Sequence, residues 1–456
     1  MTRSRVALTM GAIAALAAPA LLLAHAHLTR SEPAANERLE RAPERITLWF
    51  SERPEVRFTS VQLLDSSGAS IGLGPVAKVA TDPSAVVAEV AAGMRAGRYT
   101  VAWQTAASDG HPVKGRYSFF VTTGVDTARV IPNPVAVPDR PAPNAIVAGL
   151  IARQPLNAAE LWALLVAVLT VIGAVAFRGL VLARTTWDAA AVLDGADRAR
   201  QLARAALALA VIASLTRLAA EASLVPGSSL GMRTMWEVAR DTAWGRGWLI
   251  GAAGIVMTVV ALSAAWRSPL GWMVAAVGVV ALAVSQSLTG HAGSENESVA
   301  LSVVVNVVHL LAAGAWIGGL VAVFLAGLPS LRRVDETQRA ALGSSLVRSY
   351  HDVALPSVIV VALTGLANSW LRVGGLGALW ATTYGRILVA KVALFLVLVG
   401  FGYYHWRTIV APSWKADSAG RFRRTALLEL LVGALVLTAT ALLVSMATPD
   451  AALHAH

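Results

Sequence analysis

The octapeptide SDGHPVKG, residues 108 to 115, sets Asp109 and His111 two apart around a glycine, between two strand-like stretches. A carboxylate and an imidazole at that spacing can chelate one metal ion. The same residues also fit a plain turn, with Asp109 and Gly110 at the bend and His111 exposed on it. Another two imidazoles, His25 and His27, stand where an apolar run from Val6 to Leu23 ends, behind Arg3 and Arg5. That layout is a secretory signal peptide. Cleavage leaves a histidine at or beside a new amino terminus: His27 if Ala24 and Ala26 mark the cut, His25 if the cut follows Ala24. A terminal histidine offers both its α-amine and a ring nitrogen. Together with Asp109 and His111 it makes a tetragonal nitrogen and oxygen set, which suits Cu(II), whereas zinc favours a tetrahedral one.

Composition bounds what must position these groups. The 456 residues are 56% hydrophobic and only 14% charged, with a mean hydropathy of +0.61. That is too apolar for a soluble globular chain. The apolarity is uneven: residues 27 to 145 are polar and strand-like, while 158 to 447 form runs of about 20 apolar residues, each able to cross a hydrocarbon core. There is no cysteine, so an exported part has no disulfide and no thiolate for a metal.

Between His27 and Gly124 the pattern has period two, in ITLWFSE (46–52), FTSVQLLD (58–65), AVVAEVA (85–91), YTVAWQTAASD (99–109) and GRYSFFVTT (115–123). Short strands separated by turn-formers predict an antiparallel β-sandwich or barrel. The five prolines of residues 131 to 143 predict an extended connector.

Eight membrane helices follow, at about 158–183, 202–224, 247–266, 269–290, 299–328, 350–372, 385–409 and 425–447. Arginines and lysines gather in alternate loops: Arg184, Arg198 and Arg200; Arg267; Arg332, Arg333, Arg339 and Arg348; Arg407, Lys415, Arg421, Arg423 and Arg424. By the positive-inside rule both termini lie outside. The net charge of +11 is then mostly topology, and nothing points to nucleic acid.

Histidines inside membrane helices are functional candidates. Asn306 and His309 share a face of the fifth helix, and His291 closes the fourth. Met232 and Met235, in the loop between the second and third helices, could take Cu(I) or simply pack. His351 and His405 near the cytoplasmic ends read first as interfacial anchors, and Arg217 and Glu221 as a mutually neutralising pair. Gly314, Gly318 and Gly319 predict close helix packing.

HAHLTRSEPAANERLERAPERITLWFSE, followed by YTVAWQTAASDGHPVKGRYSFFV, resembles CopC, the periplasmic copper-binding family, over residues 25 to 124. The resemblance implies a Greek-key, cupredoxin-like β-domain whose mature chain begins at His25, eight residues before Pro33. Its Cu(II) ligands would be His25, Asp109 and His111, with Glu52 as a further oxygen ligand. His27, third in that chain, either adds amide and imidazole nitrogens or faces solvent. Some CopC proteins carry a methionine-rich Cu(I) loop, but Met94 is the domain's one methionine, so that second site is expected to be missing. Residues 150 to 448, with HLLAAGAWIGG and GRILVAK, resemble CopD, the inner-membrane partner, and CopC–CopD fusions occur.

The expected order is a signal peptide (1–24), a CopC-like β-domain (25–124), a linker (125–150), a CopD-like all-α domain of eight helices (151–448) and an exported tail (449–456) with His454 and His456. The expected role is copper transport or resistance in a bacterial-type inner membrane, without enzymatic activity. The β-domain takes Cu(II) from periplasmic donors, and the helices pass Cu(I) or Cu(II) along His291, Asn306, His309, Met232 and Met235. A bis-histidine haem cytochrome would need a second histidine level with His309. A copper oxidase or monooxygenase would need an open coordination position, which Asp109, His111 and Glu52 fill. Amino-terminal sequencing of the exported protein is expected to return His25; a chain starting at His27 would contradict the ligand set.

Overall fold

The computed structural model describes residues 28–51, 53–91, 94–106, 112–122, 143–225, 229–264, 267–290, 299–333, 335–373, 377–407 and 418–445. His25, His27, Glu52, Asp109, His111, His291, His454 and His456 lie outside the described residues.

The amino-terminal part is a two-sheet sandwich. One sheet runs β1 (Leu28–Glu32), β3 (Arg45–Phe50), β7 (Asp82–Glu89), β6 (Ala77–Val79). The other runs β2 (Arg38–Leu39), β9 (Pro112–Val121), β8 (Gly97–Ala106), β4 (Ser60–Leu64), β5 (Ser70–Ile71). Neighbours pair antiparallel except β2 with β9, which run parallel. Ile46, Leu48 and Phe50 of β3 point inward against Val61, Leu63, Val101 and Phe119 of the facing sheet. This is the period-two signal of the sequence made physical. Opposite Trp103 the register places Gly115, and a Cβ there would collide with the indole. Glycine lets the ring lie on the strand, where its edge meets Phe50 at 5.1 Å.

Among the described residues, eight helices are long and apolar enough to cross a membrane. In chain order the helices are α1 (Pro143–Ala176, continuing to Arg184), α2 (Ala189–Ala222), α3 (Met232–Asp241), α4 (Ala243–Ala264), α5 (Pro269–Leu288), α6 (Val299–Ala313, continuing through π turns at Gly314–Gly318 and Val323–Gly327 to Ser330), α7 (Glu336–Val373), α8 (Thr383–His405) and α9 (Ser418–Val444). Of these nine, α3 is too short to span, as is a single turn at Ala378–Ala381. Helices α2 and α7 begin about a dozen residues before the expected spans; in α2 the charged turns close on themselves, Arg198 pairing with Asp194 at 2.8 Å and Arg200 with Asp197 at 3.3 Å.

Helix α1 is the most enclosed span, with 72% of its apolar window buried against 11% for α8. Its contact with α6 is backbone to backbone. A Cβ on Gly318 would meet the Leu169 carbonyl, and one on Gly314 would meet Ile172. The close packing expected of these glycines is present, with Gly319 against the Tyr350 ring.

The two parts dock. A 3₁₀ turn, Val56–Phe58, lays Phe58 into a pocket formed by Leu218 and Ala222 of α2, Val238 and Ala239 of α3 and Trp244 of α4, leaving it 2% exposed. Arg57 reaches Glu237 at 3.0 Å and Asp241 at 2.9 Å, and Glu55 accepts from the Ala243 amide at 2.9 Å. Losing a buried phenylalanine costs about 3–5 kcal/mol, whereas a partly exposed ion pair is worth about 0.2–1 kcal/mol. The ring therefore dominates. Hydrogen bonds from Arg233 and Arg57 hold the Glu237 carboxyl below the ordinary carboxylate range. With that depressed value, its share of the docking is complete above the unperturbed pKa and is lost as pH falls through the lowered one.

Phe58→Ala is therefore expected to broaden spin-label distances between β7 and α5 strongly, and Arg57→Ala only slightly. The distances should hold from neutral to mildly acid pH. Equal broadening by both variants would show that charge, not the ring, holds the domains together.

Candidate functional site

The strands that bound the candidate ligands end at one edge of the sandwich. Leu28, next to His27, pairs with Phe50, two residues before Glu52. Ala106 pairs with Pro112, so β8 and β9 close the hairpin that carries Asp109 and His111. Thr59 and Thr105 share a 2.7 Å hydroxyl contact at the same edge, which puts the docking turn Val56–Phe58 beside that hairpin. Burial lowers the Lys114 ammonium from its ordinary value there. The edge that bears the flanks of all the candidate ligands is thus the edge that rests on the helices. Met94 lies in the sandwich core at 3% exposure, so it serves packing.

Beneath the docked edge runs a series of polar groups. Arg217 of α2 stacks over Trp244, which also contacts Phe58, at 5.6 Å. It donates to the Thr289 carbonyl at 3.0 Å, so Arg217 reaches α5 as well as lying one turn from Glu221. Ser287, two residues earlier on α5, accepts from the Asn306 side-chain amide at 3.0 Å. One turn along α6, His309 Nδ1 meets the Thr364 hydroxyl of α7 at 2.8 Å, and Gly365 lies beside the ring. Asn306 and His309 therefore sit on one face, as the spacing predicts, and each is held by a hydroxyl from a different neighbour. The methionines divide: Met232 is 84% exposed at the start of α3, while Met235 packs into the Phe58 cluster. Met235 is a packing residue here, and Met232 is accessible.

Lower in the bundle is a second polar layer that sequence reasoning had set aside. His405 does not sit at the interface as an anchor; it is buried at 6% exposure, its Nε2 2.7 Å from the Thr425 hydroxyl and its Nδ1 3.4 Å from Oε2 of Glu429. Glu429 is 2% exposed and was missed altogether. Its signal was a lone carboxylate within the apolar run ALLELLVGALV. The Thr364 and Ser287 hydroxyls carried no signal, because their use depends on which helices become neighbours.

Comparison with known proteins follows this division. Residues 28–122 match the CopC domain, 153–300 the copper resistance protein D-like N-terminal domain, and 344–443 copper resistance protein D. The copper transport protein CutJ of Bacillus subtilis (strain 168) is 25% identical over 446 residues, covering 94% of this chain and 76% of that protein. Protein YobA of Escherichia coli (strain K12) is 38% identical over 98 residues, 22% of this chain and 79% of that one. The crystal structure of PcoC, a methionine-rich copper resistance protein from Escherichia coli, aligns at 36% identity over 22% of this chain and all of that one, with a TM-score of 0.20. With a CopC domain at its amino-terminal end and CopD sequence through its membrane helices, the chain belongs to the CopC/CopD copper-resistance family.

Proposed function

We propose that this protein handles and transports copper, its β-domain capturing Cu(II) through His25, Asp109, His111 and Glu52 and its helices passing copper along a polar route. The observation that carries this is the docking. The sandwich edge bordering those ligands rests, through Phe58, on the helix ends that lead by way of Arg217, Thr289, Ser287 and Asn306 to His309. Imidazole, amide oxygen and hydroxyl donors along that route suit a borderline copper ion. His291, between Thr289 and the start of α6, and the exposed Met232 are the entry residues.

The ion is cargo. Asp109 and His111, on one hairpin, would bind Cu(II) and release it to a route a short distance away, and docking keeps that distance short. The membrane is the inner one of a bacterial cell, with the β-domain and both termini on the exported side. The docking fits this arrangement, since the α2–α4 connection must then face the same side as the sandwich. Capture from periplasmic donors and either uptake or resistance are consistent with the route.

In cells expressing wild type, His111→Ala and His309→Ala, copper accumulation is expected to change in both variants relative to wild type. His111→Ala should also weaken Cu(II) binding by at least about tenfold, the loss typical of removing even a supporting residue. His309→Ala should keep that binding. Unchanged accumulation in both variants would sink the relay.

A further inference from the structure

The second polar layer is not needed to hold the bundle. Helices α1 and α6 already pack through glycine, and α8 and α9 meet over a long apolar seam around Leu398, Phe422 and Ala426. Yet α9 buries a carboxylate about 10 Å inside its span, seven residues from Phe422. A lone charge there is costly. The groups around it say how it is accommodated.

His405 of α8 faces it, with Nδ1 3.4 Å from Oε2, and that oxygen has no hydrogen-bond partner, so the contact is close without being a formed hydrogen bond. The Trp316 indole of α6 reaches the carboxyl group, and Tyr350 of α7 lies near it while donating its hydroxyl to the Trp316 carbonyl at 2.9 Å. His351, next to Tyr350 on α7, is near enough to His405 for their charges to interact, and Asp352 follows it in the chain. Thr425, one turn before Glu429 on α9, holds the far nitrogen of His405. Helix α1 meets α9 through the neutral Trp162, whose Nε1 donates to the Ala434 carbonyl. Charge bookkeeping for the pair is simple. With one proton between them, Glu429 and His405 are together neutral. With none, a carboxylate is stranded in the apolar interior; with two, an imidazolium is. One shared proton is therefore the neutral state of the pair, and a cation brought close could compensate the carboxylate in its place.

Helix α6 supplies such proximity. Trp316 stands two turns from His309, about 10 Å along the helix, and belongs to the π turn Gly314–Gly318. Irregular turns of this kind gather at functional sites. We propose that Glu429 and His405 form the proton-carrying site of the membrane domain, exchanging one proton for the positive charge of a copper ion that passes the His309 layer, so that copper moves in one direction as a proton moves in the other. The proton leaves the Glu429–His405 pair by way of His351. No bond other than that to the transferred proton forms or breaks, and no electron moves. This rests on the copper-transport reading above.

The full-length protein in liposomes, with copper offered outside and a pH-sensitive dye inside, tests it. In wild type the lumen should become alkaline as copper enters, and an inside-acid gradient should speed entry. Glu429→Gln should keep copper entry and lose both the proton signal and the response to the gradient; Glu429→Asp should restore them in part. Copper entry in wild type that ignores the gradient and moves no proton overturns the exchange and leaves the copper reading intact, and this outcome stands even if Glu429→Gln fails to insert. An undiminished proton signal in Glu429→Gln also overturns it. Absence of copper entry in wild type overturns both readings.

Discussion

In a hydrocarbon interior a polar side chain has no water to turn to, so it must find its partner within the bundle. That constraint organises the membrane half of this protein. Its buried polar groups join neighbouring helices one pair at a time: Arg217 to Thr289 links α2 with α5, Asn306 to Ser287 links α6 with α5, His309 to Thr364 and Tyr350 to the Trp316 carbonyl link α6 with α7, and His405 to Thr425 links α8 with α9. Each such contact is worth only about 0.6–2 kcal/mol in a membrane. Removing one partner costs more, since it strands the other. The pairs therefore decide which helices are neighbours more than they decide how stable the bundle is. Stability comes from the glycine-mediated approach of α1 to α6 and the apolar seam around it.

Helix α6 has a special position among these pairs. It carries Asn306 and His309 on the side nearer the docked sandwich and Trp316 deeper, so the upper and lower polar layers share one rigid element. Its first π turn, at Gly314–Gly318, falls where Gly318 must pass against the backbone of α1. A widened turn next to a glycine crossing allows small rotations that a regular helix jammed between side chains resists.

Much of the architecture was legible because hydropathy and period are local properties. Five strands follow from alternation, and eight spans from runs of apolar residues. The short edge strands β1, β2, β5 and β6 were not, since two to five residues carry no period. The early start of α2 was hidden by charged turns that pair internally and look like loop in composition. The face shared by Asn306 and His309 was readable from three-residue spacing, and so was the role of Gly314 and Gly318. His405 and Glu429 were not read together, because they lie on different helices and only packing brings them to 3.4 Å. The candidate ligands of the β-domain are expectations from residue type and family resemblance and lie outside the described residues; that the edge flanking them rests on the helices was not legible, since Phe58 is one unremarkable aromatic in the sequence.

That single ring alters what the proline-rich connector needs to do. A flexible tether alone would keep the sandwich at a high effective concentration near the membrane while leaving its orientation free. Phe58 in the α2–α3–α4 pocket, with Arg57 reaching two carboxylates of α3, fixes orientation as well. Of the sandwich's edges, the one where β8 and β9 meet is then held against the helices. Beneath that edge lie the Thr289 and Ser287 hydroxyls, the Asn306 amide and the His309 imidazole, each held by a neighbouring helix. A tether by itself gives proximity, and the docked ring gives orientation as well.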